Sequence, residues 1–360
     1  MKIAQVCPRY CPYIGGVETH VKEISERLVK KGYEVEVLTT DPKGDLPKQE
    51  VINGVIVKRF KCWAPGEAYY FSRAMRKYLA KNSENYDIVH AHSYHALPAL
   101  YAAQAKSRNK LVFTPHYHGT GHTLFRKLLH TIYWRIAKAI FNEADRIICV
   151  SNYEKRLILE KFNVNEEKVT VIPNGINPEE FSQLRKTKKG YKTILYVGRL
   201  EKYKGIDYLI KVLQKLDDRF FLEIVGRGPY EKSLLKLASK LKVKDRIRFY
   251  HNLPRDQLLQ KYSDASVFVM LSKHEAFCIS VAEALAAKTP CIVANTSALK
   301  EWIDEKNCFG IEYPINIDKF ASLINRISDL VVECPKLPTW DEVSSKTAEI
   351  YERLLSNDSV

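Results

Sequence analysis

Short apolar runs alternate with amphipathic helical patterns along this chain, and the plan is laid out twice. In the first half, β-rich runs fall at 2–6, 34–39, 55–60, 87–91, 111–114 and 146–150, with a last one at 169–172. Between the first two, 20–31 carries Val21, Ile24 and Leu28 at helical spacing, and 124–144 reads as a long helix with one apolar side. In the second half the runs fall at 193–197, 220–225, 246–250, 267–271 and 291–294. Helical patterns at 206–216, 229–241, 255–262 and 280–287 separate them. Several runs are apolar throughout, which suits strands buried on both faces of a parallel sheet. Alternation on this scale predicts doubly wound α/β domains. A chain of 360 residues exceeds one ordinary core, so two domains are expected, over 1–172 and 173–339, with a final helix from Trp340. The boundary falls at Pro173-Asn174-Gly175-Ile176-Asn177-Pro178, a cluster of turn formers.

The formal charge of +15 is uneven: 1–170 holds 27 Lys/Arg against 17 Asp/Glu. No acid occurs between Asp87 and Glu143, where seven Lys/Arg and seven His lie. Such a field favours an anionic partner. No helix-turn-helix, zinc-finger or RNA-recognition signature accompanies it, so nucleic acid is not the expected partner. An anionic membrane surface is: 69–81 combines aromatics with Arg73, Arg76, Lys77 and Lys81 and has no acid, and 124–140 is a second candidate. An ordinary amphipathic helix explains the same pattern equally well. No run of about 18 apolar residues predicts a membrane span, and the N-terminus turns polar too soon for a signal peptide. The eight cysteines include no Cys-x-x-Cys pair, and Cys7, Cys149 and Cys291 sit in or beside apolar runs. Reduced thiols in a cytoplasmic protein are expected, with peripheral attachment to the inner face of the plasma membrane as an option.

In open α/β sheets, ligands bind at the carboxyl ends of strands, where loops meet helix starts. Three loops here have that position. Gly15-Gly16 precedes the first helix, where glycines allow close backbone approach to a phosphate. Arg199 and Lys204, between Gly198 and Gly205, offer two cations for a diphosphate. Glu275 and Glu283 flank Phe277, Cys278 and Ile279 at a strand–turn–helix junction, with carboxylates for sugar and ribose hydroxyls and amides for phosphate. Carboxylates near a helix start are favourable in themselves, so a structural role competes. His90, His92, His95, His116, His118 and His122 include two His-x-His pairs, but no carboxylate or cysteine accompanies them in the acid-free stretch. No metal site is therefore expected, and His116 reads as a polar contact on the acceptor side. The absence of any Asp-x-Asp leaves the diphosphate to the cations, without a metal or other cofactor.

The ordered set of motifs resembles the family 4 retaining glycosyltransferases of the GT-B fold over nearly the whole chain. The motifs are Ile14-Gly15-Gly16-Val17-Glu18, Thr114-Pro115-His116, Pro173-Asn174-Gly175, the 198–205 loop, Gly226-Arg227-Gly228-Pro229, Glu275 with Glu283, and Trp340. The resemblance implies two Rossmann-like domains facing a central cleft, with the final helix crossing back to the first. It implies a hexosyl donor such as UDP- or GDP-hexose, and a glycan or lipid-linked acceptor in glycan biosynthesis. Glu275 would contact the donor sugar and Glu283 the ribose. Arg199, Lys204 and Gly16 would meet the diphosphate, and His116 the reacting sugar; Gly15, Gly226 and Asn252 complete the donor set. Two departures stand out. Ala276 and Cys278 replace glycines around Phe277, and His251 replaces a glycine before Asn252 near the base pocket. A non-catalytic nucleotide-sugar-binding protein and a GT-B epimerase are the alternatives.

Overall fold

The computed structural model describes residues 1–119, 133, 134, 137–187 and 189–356. The chain divides into two compact units, Met1–Asn174 with Trp340–Val360, and Gly175–Thr339.

The first unit is built on β1 (Lys2–Val6), β2 (Glu34–Asp41), β3 (Gln49–Ile52), β4 (Val55–Lys61), β5 (Ile88–His92), β6 (Lys110–Thr114), β7 (Arg146–Cys149) and β8 (Val169–Val171). They pair in the order β3-β4-β2-β1-β5-β6-β7-β8, all parallel except β3 against β4. Ile3 of β1 faces Val35 of β2 on one side and Ile88 of β5 on the other. The order therefore reverses beside β1, and the loops after β1 and β5 diverge there. The helix Gly16–Lys30 follows β1 and buries Val21, Ile24 and Leu28. The closing helix Trp340–Ser356 belongs to this unit. Arg27 donates to Asp341 at 2.9 Å. The buried Tyr351 hydroxyl meets Gln5 at 3.2 Å and His90 at 2.5 Å.

The second unit is a parallel sheet of β9 (Lys192–Val197), β10 (Phe220–Val225), β11 (Ile247–Tyr250), β12 (Val267–Met270), β13 (Cys291–Ala294) and β14 (Cys308–Ile311). The order β11-β10-β9-β12-β13-β14 reverses between β9 and β12. Ile194, Leu195, Phe268, Val269, Ile292 and Val293 are wholly buried, as strands covered on both faces require.

Two strands were not expected from the sequence. β3 is an antiparallel edge strand whose residues alternate between exposed and half-buried, so it lacks an apolar run. β14, also at an edge, is short and contains Gly310, where a Cβ would stand 2.8 Å from the Ile303 side chain. The helix expected over 206–216 ends as an α-helix at Val212 and tightens into a 3₁₀ turn, Leu213–Lys215. The basic segment 69–81 is helical only from Arg73, with Ser72 accepting from the Met75 amide as its cap. Met75 and Leu79 face inward, while Arg73, Arg76, Lys77 and Lys81 are exposed. Trp63 is 70% exposed and Phe71 40%, and the two pair through a short antiparallel bridge beside that helix. The helix expected over 124–144 is seen at 137–143, and 124–132 lies outside the described residues. Among the described residues no helix is long and apolar enough to cross a membrane. All eight cysteines are free.

Candidate active site

In the second unit, the loops at the strand-order reversal are those after β9 and β12, and the sequence places Lys204 on one and Glu275 on the other. Gly205 holds the two loops together. Its φ is 70°, and a Cβ there would lie 2.5 Å from the Leu271 carbonyl oxygen. Lys204 donates to Glu275 at 2.5 Å, and each side chain is only 13% exposed. Burial disfavours the ammonium, but Glu275, with Tyr203 and Tyr196 behind it, outweighs that and raises the Lys204 pKa well above its ordinary value. Gly226, at the end of β10, makes a second backbone contact: a Cβ there would stand 2.0 Å from the Gly198 oxygen.

The turn after Glu275 is tightly held. The Glu275 amide donates to Ser297 at 3.0 Å, and Trp302 donates to the Phe277 carbonyl at 2.8 Å. Cys278 caps the helix Ile279–Ala286 with φ 82° and ψ 79°, a left-handed conformation that a side chain disfavours. Burial pushes its thiol up to about 12. The helix start offers its free amides immediately after this turn.

Glu283 sits about one turn into that helix, and both its oxygens are engaged. Arg255 reaches one at 2.5 Å and the Tyr262 hydroxyl donates to the other at 2.9 Å. Arg255 also pairs with Glu180 at 2.6 Å. Arg199, on the same loop as Lys204, turns outward to Glu201 at 3.2 Å and is 47% exposed. Asn252 meets Arg227 at 3.0 Å once its amide is oriented to accept, and His251 pairs with Glu231 at 3.0 Å. Sequence reasoning passed over Arg255, Tyr262 and Arg227. Arg255 did carry a signal: it follows Pro254 at a helix start, where a cation opposes the helix dipole unless a carboxylate answers it.

In the first unit, Gly16 opens its helix with open space where a Cβ would stand. A Cβ on Gly15 would lie 2.4 Å from Glu18, whose buried carboxylate is held by Arg9 at 2.8 Å. His116 follows β6 in a left-handed conformation, φ 50°. Its ring lies 4.8 Å from that of His20 and 5.9 Å from that of His92, centre to centre. His90 bonds to Tyr351 and, at 2.8 Å, to Thr114. The expectation of no metal site weighed only the histidines after β5 and β6; the fold adds His20 from the first helix to them. The anticipated residues thus fall into two groups. Arg199, Lys204, Gly226, Asn252, Glu275, Phe277, Cys278, Ile279 and Glu283 lie on the second unit, and Gly15, Gly16 and His116 on the first.

Residues 14–180 match the model of Glycosyltransferase Family 4, and 177–334 match that of Glycosyl transferases group 1. An uncharacterized glycosyltransferase of Methanocaldococcus jannaschii is 31% identical, over 98% of both chains. A phosphatidylinositol N-acetylglucosaminyltransferase component of Homo sapiens is 26% identical over 98% of this chain and 76% of its own. Among solved structures, the sucrose-phosphate synthase from Thermosynechococcus elongatus superposes with a TM-score of 0.82 at 20% identity, covering 99% of each chain. The two largely parallel sheets are those of the GT-B fold, and the chain belongs to the group 1 glycosyltransferases of family 4.

Proposed function

We propose that this glycosyltransferase moves a hexosyl unit from a nucleotide diphosphate sugar to a hydroxyl acceptor, with retention of anomeric configuration and without a metal cofactor. The observation that carries the reading is the buried Lys204–Glu275 pair, set beside a helix start at the strand-order reversal of the second unit. Lys204 is held charged and can share its protons between Glu275 and the departing diphosphate. The amides at the very start of the helix Ile279–Ala286 meet the same developing charge, and Arg199, 47% exposed, can swing toward it from its partner Glu201. Glu275 accepts from sugar hydroxyls and Glu283 from the ribose, with Arg255 and Tyr262 fixing the Glu283 carboxylate. His116, on the first unit, faces the reacting sugar. The acceptor hydroxyl attacks from the face the leaving group vacates. Removing one such electrostatic contact typically costs about 2.7–4 kcal/mol in the barrier. Lys204→Ala and Glu275→Ala should each cut nucleoside diphosphate release from a UDP- or GDP-hexose at least a hundredfold, with the circular dichroism spectrum unchanged. Turnover retained in both variants refutes the assignment.

The acceptor reading is a lipid-linked or glycan hydroxyl approached from an anionic membrane surface. It rests on the exposed Trp63 and Phe71 beside Arg73, Arg76, Lys77 and Lys81, an aromatic–basic combination suited to the headgroup layer. The human relative, a phosphatidylinositol N-acetylglucosaminyltransferase component, supports it. Vesicles with anionic headgroups should sediment the protein in a salt-sensitive way, and Trp63→Ser with Arg76→Ser should weaken this. Equal sedimentation with neutral vesicles rules the surface out.

A further inference from the structure

We propose that His20, His92 and His116 form a binding site for one zinc ion. The three rings come from the helix Gly16–Lys30, from β5 and from the segment after β6, so the fold and not local sequence brings them together. One ring nitrogen from each lies within 4.8 Å of one from both others. A zinc ion at about 2.0–2.1 Å from each nitrogen sets them about 3.3 Å apart, so closure needs ring movements of about 1 Å.

The hydrogen bonds around the trio fix which nitrogens are available. Asn174 presents its carbonyl oxygen to Nδ1 of His20 at 2.7 Å. Gln5 presents its own to Nε2 of His92 at 2.7 Å. A carbonyl only accepts, so both imidazoles carry their proton on that side. The opposite nitrogens, Nε2 of His20 and Nδ1 of His92, are left with lone pairs. These two atoms and Nε2 of His116 are buried and have no hydrogen-bond partner. Burial holds all three rings neutral by lowering their pKa values, the state a metal ligand requires. Buried polar nitrogens without partners are costly, and three of them on neighbouring rings suit a group that would satisfy them.

The supporting residues resemble the second layer of a metal centre, where each ligating histidine donates its other N–H to an oxygen. Gln5 is itself oriented by donating to the Tyr351 hydroxyl at 3.2 Å. His90, which touches the same cluster, is not a ligand, because Tyr351 and Thr114 engage both its nitrogens. His116 is held at φ 50°, a strained conformation of the kind found at functional sites. Three neutral imidazoles with no carboxylate select a borderline ion such as zinc over magnesium or calcium. Three protein ligands leave a fourth position open. Because the proposed reaction places His116 against the sugar, zinc bound here blocks transfer. That consequence rests on the functional reading; the site itself does not.

The test is calorimetric titration of zinc sulfate alone into the whole chain, first freed of metal with a chelator. One equivalent should bind. His20→Gln and His92→Gln should each weaken binding at least tenfold, and Asn174→Ala or Gln5→Ala by 10–100-fold. His251→Gln and Cys334→Ser, on exposed or half-exposed positions of the second unit, should leave the titration unchanged. Circular dichroism checks that each variant folds; should a ligand variant fail, Asn174→Ala, which keeps all three imidazoles, decides the point. No uptake by the wild type, or uptake undiminished in His20→Gln, His92→Gln and Asn174→Ala, overturns the proposal. A separate assay asks whether stoichiometric zinc abolishes transfer and a chelator restores it. Zinc bound without inhibition keeps the site and counts against the place given to His116 in the reaction.

Discussion

The Lys204–Glu275 pair lends itself to a double-mutant cycle. Both side chains are 13% exposed and 2.5 Å apart, so each is the main answer to the other's charge in a mostly desolvated place. Breaking a buried pair by removing one partner typically costs about 3–5 kcal/mol, because the remaining charge stays buried. The residual exposure argues for the lower end, about 3 kcal/mol each for Lys204→Met and Glu275→Gln. Removing both leaves no stranded charge, so the double variant should lose no more than about 3 kcal/mol. The interaction term is then at least about 3 kcal/mol in magnitude, the top of the range for contacting residues. Urea unfolding followed by tryptophan fluorescence and circular dichroism measures it on the transition of the second unit. The pH dependence has a definite sign. The Lys204 pKa is raised on folding, so its contribution is complete below the unfolded value of 10.5 and fades only as pH rises beyond that. If the single losses add to about 6 kcal/mol in the double variant, the charges are not coupled and the electrostatic picture of the site fails.

Other outcomes follow from the same geometry. Arg255→Ala should raise the donor KM about tenfold with kcat little changed, since Arg255 orients Glu283 for a ribose contact made equally in ground and transition states; steady-state kinetics would show it. Gly226→Ala should abolish the stabilisation of the protein by UDP or GDP in a thermal-shift assay, because the new methyl would meet the Gly198 oxygen at 2.0 Å and push the two loops apart. Cys278→Gly should stabilise the protein by about 0.5 kcal/mol in chemical denaturation. It relieves about 1–2 kcal/mol of left-handed strain against about 0.5–1 kcal/mol of added chain entropy.

Much of the fold was legible because buried parallel strands advertise themselves. Val267–Met270 and Phe220–Val225 are apolar or nearly so for a plain reason: helices cover both faces. The edges were not legible, since β3 answers to solvent on one side and β14 trades a side chain for a close contact at Gly310. The site shows the same division. Glycines, cations and carboxylates on the loops after β9 and β12 could be named from their place at strand ends. Their partners could not. Arg255 reaches Glu283 across 28 positions, and His20 meets His116 from an element nearly a hundred residues away. Sequence spacing carries no record of such meetings; only the strand order does.

The closing helix also bears on how the chain is made. The first unit is discontinuous: it is left at Asn174 and resumed at Trp340, with the second unit inserted between. Ile176 and Thr339 form a parallel bridge, so the outgoing and returning threads run side by side. Tyr351, which secures Gln5 and His90, leaves the ribosome after the whole insert, roughly 8–33 s later at ordinary rates of synthesis. Until then the first sheet has its strands but not its clasp, and the histidines beneath it wait open to water. The insert, continuous in sequence, is free to fold first, and the earlier unit is completed only after it.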